Sequence, residues 1–255
     1  MNLLIDSGNS FIKWAWAAEN EFVESGRCVS SSVSSLFEKW KQYEPPDRVI
    51  IANVAGQSIA GRLSEAVKSL WALDAEFPVS PRVCCGLTNS YRQAEKLGID
   101  RWLAMVAAYQ ITGNSVIVVD CGTAVTIDLV DVKGLFVGGV IMPGLMAALQ
   151  SLELGTDAIV MINRLNGAVN PVPKSTENGV YAGVLLGLAG GIERVVREQA
   201  LLVGEVPTVL ISGGDKEKLI PHLTIPVVLQ PDLVLQGLRI MATQRTGIRH
   251  PRQKI

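Results

Sequence analysis

The chain has 255 residues, of which 48% are hydrophobic and 18% are charged, a composition typical of a compact folded protein rather than a disordered or fibrous one. Its 23 Lys and Arg residues nearly balance its 24 Asp and Glu residues, so the charge predicts no binding to nucleic acid or to an anionic membrane surface. The basic residues over 245–254 are interpreted as a solvated chain end.

The cysteines and the apolar segments indicate the compartment. The four cysteines have no CxxC spacing and no histidine beside them, which favours reduced thiols over a zinc site. The first residues lack the basic start of a signal peptide, and the longest strongly apolar stretch, residues 179–192, is too short to span a bilayer. We therefore expect a cytoplasmic protein with no membrane contact.

The first part of the chain alternates strands and helices. Apolar and β-branched runs predict strands over residues 3–6, 11–17, 49–53 and 77–83. Helical spacing of apolar residues predicts helices over 36–43, 58–73 and 92–111, the last of them interrupted by Gly98. Residues 30–35 are predicted to form a loop.

The second part of the chain repeats this alternation of strands and helices. Strands are predicted over residues 116–120, 124–130, 135–141, 209–211 and 227–228. Helices are predicted from residue 142, with Pro143 in the first turn, and over 177–200 and 233–243. The pattern predicts an α/β protein of two similar halves, residues 1–113 and 114–255, each a mixed sheet flanked by helices. No linker separates them, so we expect a tightly packed cleft between the halves.

The two halves begin with the same motif, an apolar strand that ends in Asp-x-Gly-Asn/Thr and is followed by a returning strand. The first copy contains Asp6, Ser7, Gly8, Asn9 and Ser10 and continues through Lys13. The second contains Asp120, Cys121, Gly122 and Thr123 and continues to Asp128. A duplicated strand–turn–strand with an acid at its tip predicts two facing loops that hold a nucleotide and its cation, as in a kinase or an ATPase.

Phosphoryl transfer needs cradled phosphates and neutralised charge more than it needs covalent help from the protein. Gly8 and Gly122 let backbone N–H groups approach phosphate oxygens, and Lys13 can add a positive charge. Asp6 and Asp120 would repel bare phosphate, so they are predicted to hold a cation or its water shell. Each motif taken alone is also ordinary hairpin chemistry. No GxxxxGK[ST] segment is present, which excludes a P-loop.

Two further segments allow two readings each. Asp100 either caps a helix or accepts the proton of an attacking hydroxyl, and Arg101 either faces water or binds a carboxylate or phosphate. The glycine-rich run over 212–215 either admits an adenosine group against bare backbone or is a tight turn between a strand and a helix.

Taken together, these motifs resemble the type III pantothenate kinases of the actin/hexokinase/acetate-kinase ATPase-fold superfamily. The matching positions extend over most of the chain: 6–10, 13–14, Tyr91, 98–104, 120–128, 138–144, Thr176, Gly183, 212–214 and 232–238. Ser10 stands where the family often has Thr, and Ala104 where many members have Asn. The order and spacing of the motifs are more specific than any one of them.

The resemblance implies two ribonuclease H-like halves with the active-site cleft between them, and ATP-dependent phosphorylation of pantothenate. It implies ATP binding by Asp6, Ser7, Gly8, Asn9, Ser10, Phe11, Ile12, Lys13 and Thr123. It implies pantothenate binding by Tyr91, Gly98, Ile99, Asp100, Arg101 and Thr176, with Asp100 as the general base. Asp120 would bind a monovalent cation, K⁺ or NH₄⁺, and Mg²⁺ would accompany ATP.

The resemblance also implies a homodimer, for which the apolar helix over 179–192 suits close packing as well as a monomer's core does. Two other functions remain open at this point. The chain can be a kinase for another small alcohol, or a non-catalytic regulator, since proteins of this family have been described as accessory factors for gene expression.

Overall fold

The computed structural model describes residues 1–19, 21–154 and 169–244, so the basic residues over 245–254 lie outside the described part. By its contacts the chain forms two units. Among the described residues, the first contains those of Met1–Gly113, those of Lys133–Phe136 and those from Asp232 onwards, and the second contains those of Asn114–Val132 and Val137–Pro231.

The first unit is built on a four-stranded sheet. Its elements are β1 (Asn2–Ser7), β2 (Phe11–Ala17), β3 (Phe22–Val29), α1 (Ser34–Trp40), β4 (Arg48–Asn53), α2 (Gln57–Trp71), β5 (Val83–Cys84), β6 (Leu87–Asn89), α3 (Ile99–Thr112) and, at the end of the described chain, α7 (Leu233–Thr243). The strand order is β3-β2-β1-β4, with β1 antiparallel to β2 and parallel to β4. A β5–β6 hairpin pairs with Leu135 and Phe136.

The two faces of this sheet carry different helices because side chains alternate along a strand. Leu3 and Ile5 belong to a core cluster with residues of α1 and α2, and the cluster is rich in tryptophan. Leu4 is also fully buried but points to the opposite face, where α7 contacts β1, β2 and β4.

The second unit contains β7 (Val116–Cys121), β8 (Ala124–Val130), most of β9 (Leu135–Pro143), α4 (Leu145–Leu154), α5 (Thr176–Val203), β10 (Thr208–Ser212), α6 (Lys216–Leu219) and β11 (Val228–Leu229). Its strands are ordered β11-β10-β7-β8-β9. Strand β7 is antiparallel to β8 and parallel to β10, so the sheet is mixed, as predicted. Its core joins the buried faces of β7, β8 and β10 to one side of α5.

Helix α5 is longer than the apolar stretch noted in the sequence. By length and composition alone it is able to cross a membrane, and it is the one such helix among the described residues. A core helix of a soluble protein passes the same test, so this is weak evidence. Leu185, Leu188 and Ile192 of this helix are buried in the core of the second unit.

Several predicted elements differ from the observed ones. The strand predicted over 77–83 is wrong: only Val83 is in a strand, since Pro78 and Pro81 have no N–H for a ladder. Strand β3 was not predicted, and residues 30–35 contain a 3₁₀ turn and the start of α1. Pro143 ends β9 instead of lying in a helix. Helix α7 belongs to the first unit, not to a half over 114–255, because it packs on α3 and the first sheet.

The packing of α3 against α7 depends on one glycine. Gly237 of α7 faces the backbone of Leu103 on α3, and a Cβ at position 237 would overlap the Leu103 carbonyl group. Leu103 and Leu238 are both fully buried at this level of the two helices. The absence of a side chain at Gly237 therefore sets how closely the two helices approach.

Gly237→Ala is expected to lower the free energy of unfolding by about 1–3 kcal/mol, because the added methyl group forces the two backbones apart. Gly61→Ala is the matched control, since a Cβ at this exposed position in α2 meets nothing within 4 Å. The control should raise stability by up to about 1 kcal/mol through better helix propensity. Urea unfolding of both variants measures the difference, and equal effects would contradict the close packing of α3 and α7.

Candidate active site

The first motif forms the tight connection between β1 and β2. Asp6 lies opposite Lys13 in the antiparallel pair, and the Gly8 N–H donates to the Phe11 carbonyl at 3.0 Å. Ser30 supports the turn from behind: its N–H donates to Ser10 O at 3.1 Å and its hydroxyl donates to Gly8 O at 2.8 Å. The side chains of Asn9 and Ser10 are exposed, so the turn offers polar groups on its outer side.

Not every residue predicted to bind ATP has an accessible side chain. Ser7 and Ile12 are both fully buried, and Ile12 packs in the tryptophan-rich core. Any contact of these two residues with a nucleotide would therefore be made by their backbone. Phe11 is 45% exposed, with the Arg27 guanidinium 5.6 Å from the centre of its ring.

Lys13 forms an ion pair within the first unit. Its Nζ donates to Oδ1 of Asp232 at 3.1 Å, and both side chains are partly exposed. Asp232 immediately precedes α7 and has a left-handed backbone conformation, with φ of 52°. The sequence placed Asp232 in a matching segment but indicated no role for it.

Asp100 lies in the first turn of α3 but does not cap the helix. The N-cap residue is Gly98, and no side chain makes the capping hydrogen bond. Oδ1 of Asp100 accepts from the N–H of Arg101 at 2.8 Å, and a Cβ at Gly98 would stand 2.5 Å from that oxygen. Because Gly98 has no side chain, there is room for the Asp100 carboxylate, and Asp100 is partly exposed. Ile99, between these two residues in the sequence, is buried.

Arg101 and Tyr91 come together on Phe136. Nη1 of Arg101 donates to the Tyr91 hydroxyl at 3.3 Å, and the guanidinium carbon is 6.0 Å from the centre of the Phe136 ring. The rings of Tyr91 and Phe136 are 5.4 Å apart between centres. Arg101 is only 8% exposed and Phe136 is fully buried. A buried guanidinium beside an aromatic hydroxyl is well suited to binding a carboxylate.

Two residues that support this cluster were not predicted from the sequence. Asn89, fully buried at the end of β6, accepts the Tyr91 N–H at 3.0 Å and donates to the Ala94 carbonyl at 3.1 Å, which shapes the segment before α3. Phe136 meets Tyr91 because Leu135 and Phe136 pair with β6. Neither residue stands out in the sequence, since one is a polar residue in a strand and the other one of several apolar residues in β9.

The second motif lies at the end of β7. Gly122 N–H donates to Ala124 O at 3.1 Å, and the adjoining Gly144 N–H donates to Thr123 O at 3.1 Å. The Asp215 N–H donates to Cys121 O at 2.9 Å. Thr123 is exposed and Asp120 is partly exposed.

Two glycines allow the backbone to close around this second motif. A Cβ at Gly144 would overlap the carbonyl oxygens of Gly122 and Thr123, and one at Gly213 would overlap Oδ1 of Asp120 and the Cys121 backbone. Gly213 also has φ of +95°, which a side chain disfavours. The glycine-rich run over 212–215 thus packs directly against Asp120.

Acidic side chains surround Cys121 in the second motif. Burial, together with the negative charges of Asp120 and Asp215, raises the pKa of the Cys121 thiol to about 12, with Lys216 acting in the opposite direction. Cys121 therefore stays protonated and is not a nucleophile. The described residues contain no group of three or more His, Cys, Asp and Glu side chains able to hold a metal ion. Carboxylate and neutral oxygens without thiolate or imidazole ligands suit a hard cation better than a transition metal.

Thr176 is the remaining residue that the resemblance assigned to a site. It is the exposed first residue of α5 in the second unit, next to Ser175, whose hydroxyl accepts the Asn178 N–H at 3.3 Å. The first unit brings together Tyr91 and Arg101 with Phe136, whereas Thr176 belongs to the other unit.

The first unit thus holds a polar turn with a lysine and an acid, together with a carboxylate next to an arginine–tyrosine pair. The second unit holds a glycine-lined turn with Asp120. Two mixed α/β sheets, each with an acid-tipped strand–turn–strand, are the architecture of the actin-like ATPases.

Comparison with solved structures agrees with this fold. A protein described as a Baf family transcriptional activator from Campylobacter jejuni superposes with a TM-score of 0.61, covering 94% of this chain and 97% of its own at 19% identity. The activator of 2-hydroxyisocaproyl-CoA dehydratase from Clostridium difficile, solved with bound ADPNP, gives a TM-score of 0.52 over 94% and 92% of the two chains at 10% identity. At these identities the likeness concerns the fold alone.

The family follows from the sequence relatives. A model of the type III pantothenate kinases matches residues 2–198. A type III pantothenate kinase of Nitrosospira multiformis is 34% identical over 95% of this chain and 91% of its own length, and one of Dechloromonas aromatica is 35% identical over 95% and 99%. The chain belongs to the type III pantothenate kinase family, as the motifs of the sequence indicated.

Ser7→Ala is expected to raise the free energy of unfolding by about 1 kcal/mol and to leave ATP binding unchanged. The reason is that the buried Ser7 hydroxyl has no hydrogen-bond partner among the described residues. Ser30→Ala is the matched control, because that hydroxyl is also buried but donates to Gly8 O, and its loss should lower stability. Thermal unfolding and calorimetry test both variants, and weaker ATP binding by Ser7→Ala would show that its hydroxyl takes part in the site.

Proposed function

We propose that this chain transfers the γ-phosphoryl group of ATP to the hydroxyl of pantothenate, giving 4′-phosphopantothenate, the first step towards coenzyme A. The observation that carries the proposal is the arrangement of Asp100 directly beside Arg101, which is buried and paired with Tyr91. A base next to a carboxylate-binding group fits an acceptor that has both a hydroxyl and a carboxylate. Membership of the family points to the same acceptor.

Arg101 binds the carboxylate of pantothenate, with Tyr91 orienting the guanidinium and Phe136 forming an apolar wall. Gly98 and Ile99 shape the start of α3, and Thr176 contributes its hydroxyl. Asp100 accepts the proton as the substrate hydroxyl attacks the γ-phosphorus in line. The room that Gly98 leaves beside Oδ1 of Asp100 supports this role, because the carboxylate is neither covered nor used as a helix cap.

The two acid-tipped turns bind ATP. Backbone N–H groups around Gly8 and the polar side chains of Asn9 and Ser10 contact phosphate oxygens, as does Thr123, and Lys13 supplies a positive charge. The support is geometric: Ser30 holds the first turn from behind, and Gly144 and Gly213 hold the second.

Two kinds of cation accompany the reaction. Mg²⁺ binds with ATP, and Asp6 holds part of its water shell. Asp120 binds the monovalent cation, K⁺ or NH₄⁺, which offsets charge on the phosphates. The donor set fits such a cation, since Asp120 is a partly exposed carboxylate in a turn that also presents backbone carbonyl groups.

The working form is a cytoplasmic homodimer. Large apolar side chains are exposed on neighbouring parts of the second unit, on β9 (Ile141, 60%), α4 (Met146, 43%) and α5 (Leu186, 37%). Helices α4 and α5 contact each other, and Met142 of β9 lies against Gly191 of α5. Burial against a second copy removes this apolar surface from water. Sedimentation equilibrium tests the state, and a monomer at micromolar concentration contradicts it.

The decisive experiment is ATP consumption by the purified chain, with and without pantothenate, in potassium buffer and in sodium buffer. We expect turnover that requires both pantothenate and potassium. Turnover with another small alcohol but not with pantothenate would show that pantothenate is not the acceptor. No turnover under any condition would favour a non-catalytic regulator.

Two variants, measured in the same assay, test the proposed base and the proposed cation site separately. Asp100→Asn should lower kcat by at least about 100-fold and leave pantothenate binding intact, because it removes only the base. Asp120→Asn should lose activation by potassium while retaining a slow basal rate. Glu95→Gln changes another exposed acid just before α3 and should behave as wild type. Full turnover by Asp100→Asn would show that Asp100 is not the base. An unchanged potassium response by Asp120→Asn would show that the cation binds at another position.

A further inference from the structure

We propose that Asp232 is a positioning residue for the nucleotide site: it holds the ammonium group of Lys13 ready for phosphate and keeps it from pairing with Asp6. The inference rests on the proposed function in one respect, the assignment of Lys13 to ATP. It adds a residue, at the start of the last helix, to which neither the motifs nor the comparisons give a role.

The carboxylate of Asp232 is committed to Lys13 instead of to its own helix. An aspartate at an N-cap normally accepts a hydrogen bond from an N–H in the first turn, but Asp232 makes no such bond. Its Oδ1 accepts from Nζ of Lys13 instead, at 3.1 Å. The ion pair joins residues far apart in the sequence, within the first unit.

The backbone of Asp232 has an uncommon conformation. Its φ of 52° and ψ of 35° are left-handed, which few non-glycine residues adopt. Such a conformation persists only where the surroundings determine it, and it is concentrated at functional sites. The surroundings here are α7 itself, which is fixed by the close contact of Gly237 with Leu103 and by its packing on β1 and β2. The carboxylate is therefore presented to Lys13 from a rigid support.

Asp6 is the alternative partner for Lys13. The two residues lie directly opposite each other on β1 and β2, and side chains in such a pair project from the same face of the sheet. If the ammonium paired with Asp6, the positive charge would be withdrawn from phosphate and Asp6 would be less able to hold the water shell of Mg²⁺. Asp232 provides a competing carboxylate that draws Lys13 away from this pairing.

The pair remains compatible with a bound nucleotide. Lys13 and Asp232 have side-chain exposures of 29% and 47%, so the attraction between them is screened by water. An ammonium group has three N–H donors, and one bond to Asp232 leaves two for phosphate oxygens. Asp232 therefore orients Lys13 without removing it from the reaction.

Asp232→Asn tests the charge alone. Asparagine has the same shape, tolerates the left-handed conformation and can cap a helix, so the variant should unfold at the wild-type temperature. Isothermal calorimetry with MgATP and no pantothenate should show affinity about tenfold weaker than wild type, and binding should need more Mg²⁺. In a Lys13→Met background, the same change at position 232 should have no further effect on affinity.

Asp74→Asn is the matched control, because Asp74 is another exposed carboxylate of the first unit in an ion pair, with Nζ of Lys68 at 2.9 Å. Unchanged MgATP affinity in Asp232→Asn overturns the inference, as does an equal loss of affinity with and without Lys13. A wild-type chain that binds MgATP but does not phosphorylate pantothenate contradicts only the proposed acceptor. A wild-type chain that binds no MgATP contradicts both.

Discussion

The first unit depends on the contact between Gly237 and the backbone of Leu103. Because no side chain separates α7 from α3 at this point, two helices that lie far apart in the sequence pack backbone to backbone. Asp100 and Arg101 lie in the first turn of α3, and α7 is preceded by Asp232, which forms the ion pair with Lys13. One close approach therefore helps to set the positions of three residues with proposed roles: Asp100 as the base, Arg101 as the carboxylate-binding group and Lys13 in the nucleotide site.

The second unit uses the same device at its own motif. Gly144 and Gly213 admit backbone to within a distance that any Cβ would prevent, and Gly213 adds a positive φ. The turn after β7 is thereby closed from two sides, with Asp120 against the glycine-rich run that follows β10. Glycines in both units thus act through the absence of a side chain, so replacing them is expected to change the geometry of a site even where the glycine has no chemical role.

The supporting groups of the candidate site were the hardest to predict from the sequence. Asp6, Asp100 and Asp120 were indicated because an acid after an apolar strand or before a helical run is a local pattern. Phe136 and Asn89 were not, because their contacts with Tyr91 arise from pairing between β6 and residues 135–136, which no local pattern contains. Ser7 and Ile12 share the motif with Asn9, but strand alternation and the core determine that their side chains are buried. The strand predicted over 77–83 failed for a local reason, its two prolines.

The sequence by itself determined the mixed α/β character, most helices and strands, the duplicated acid-tipped turns and the family, because all of these depend on short-range spacing of apolar residues, glycines and acids. Only the tertiary structure decided that the last helix joins the first unit and that Arg101 is buried against Phe136. It also decided that Asp232 pairs with Lys13. These features depend on contacts between residues distant in the chain, and the periodicity of a helix or strand says which face is buried but not which partner buries it.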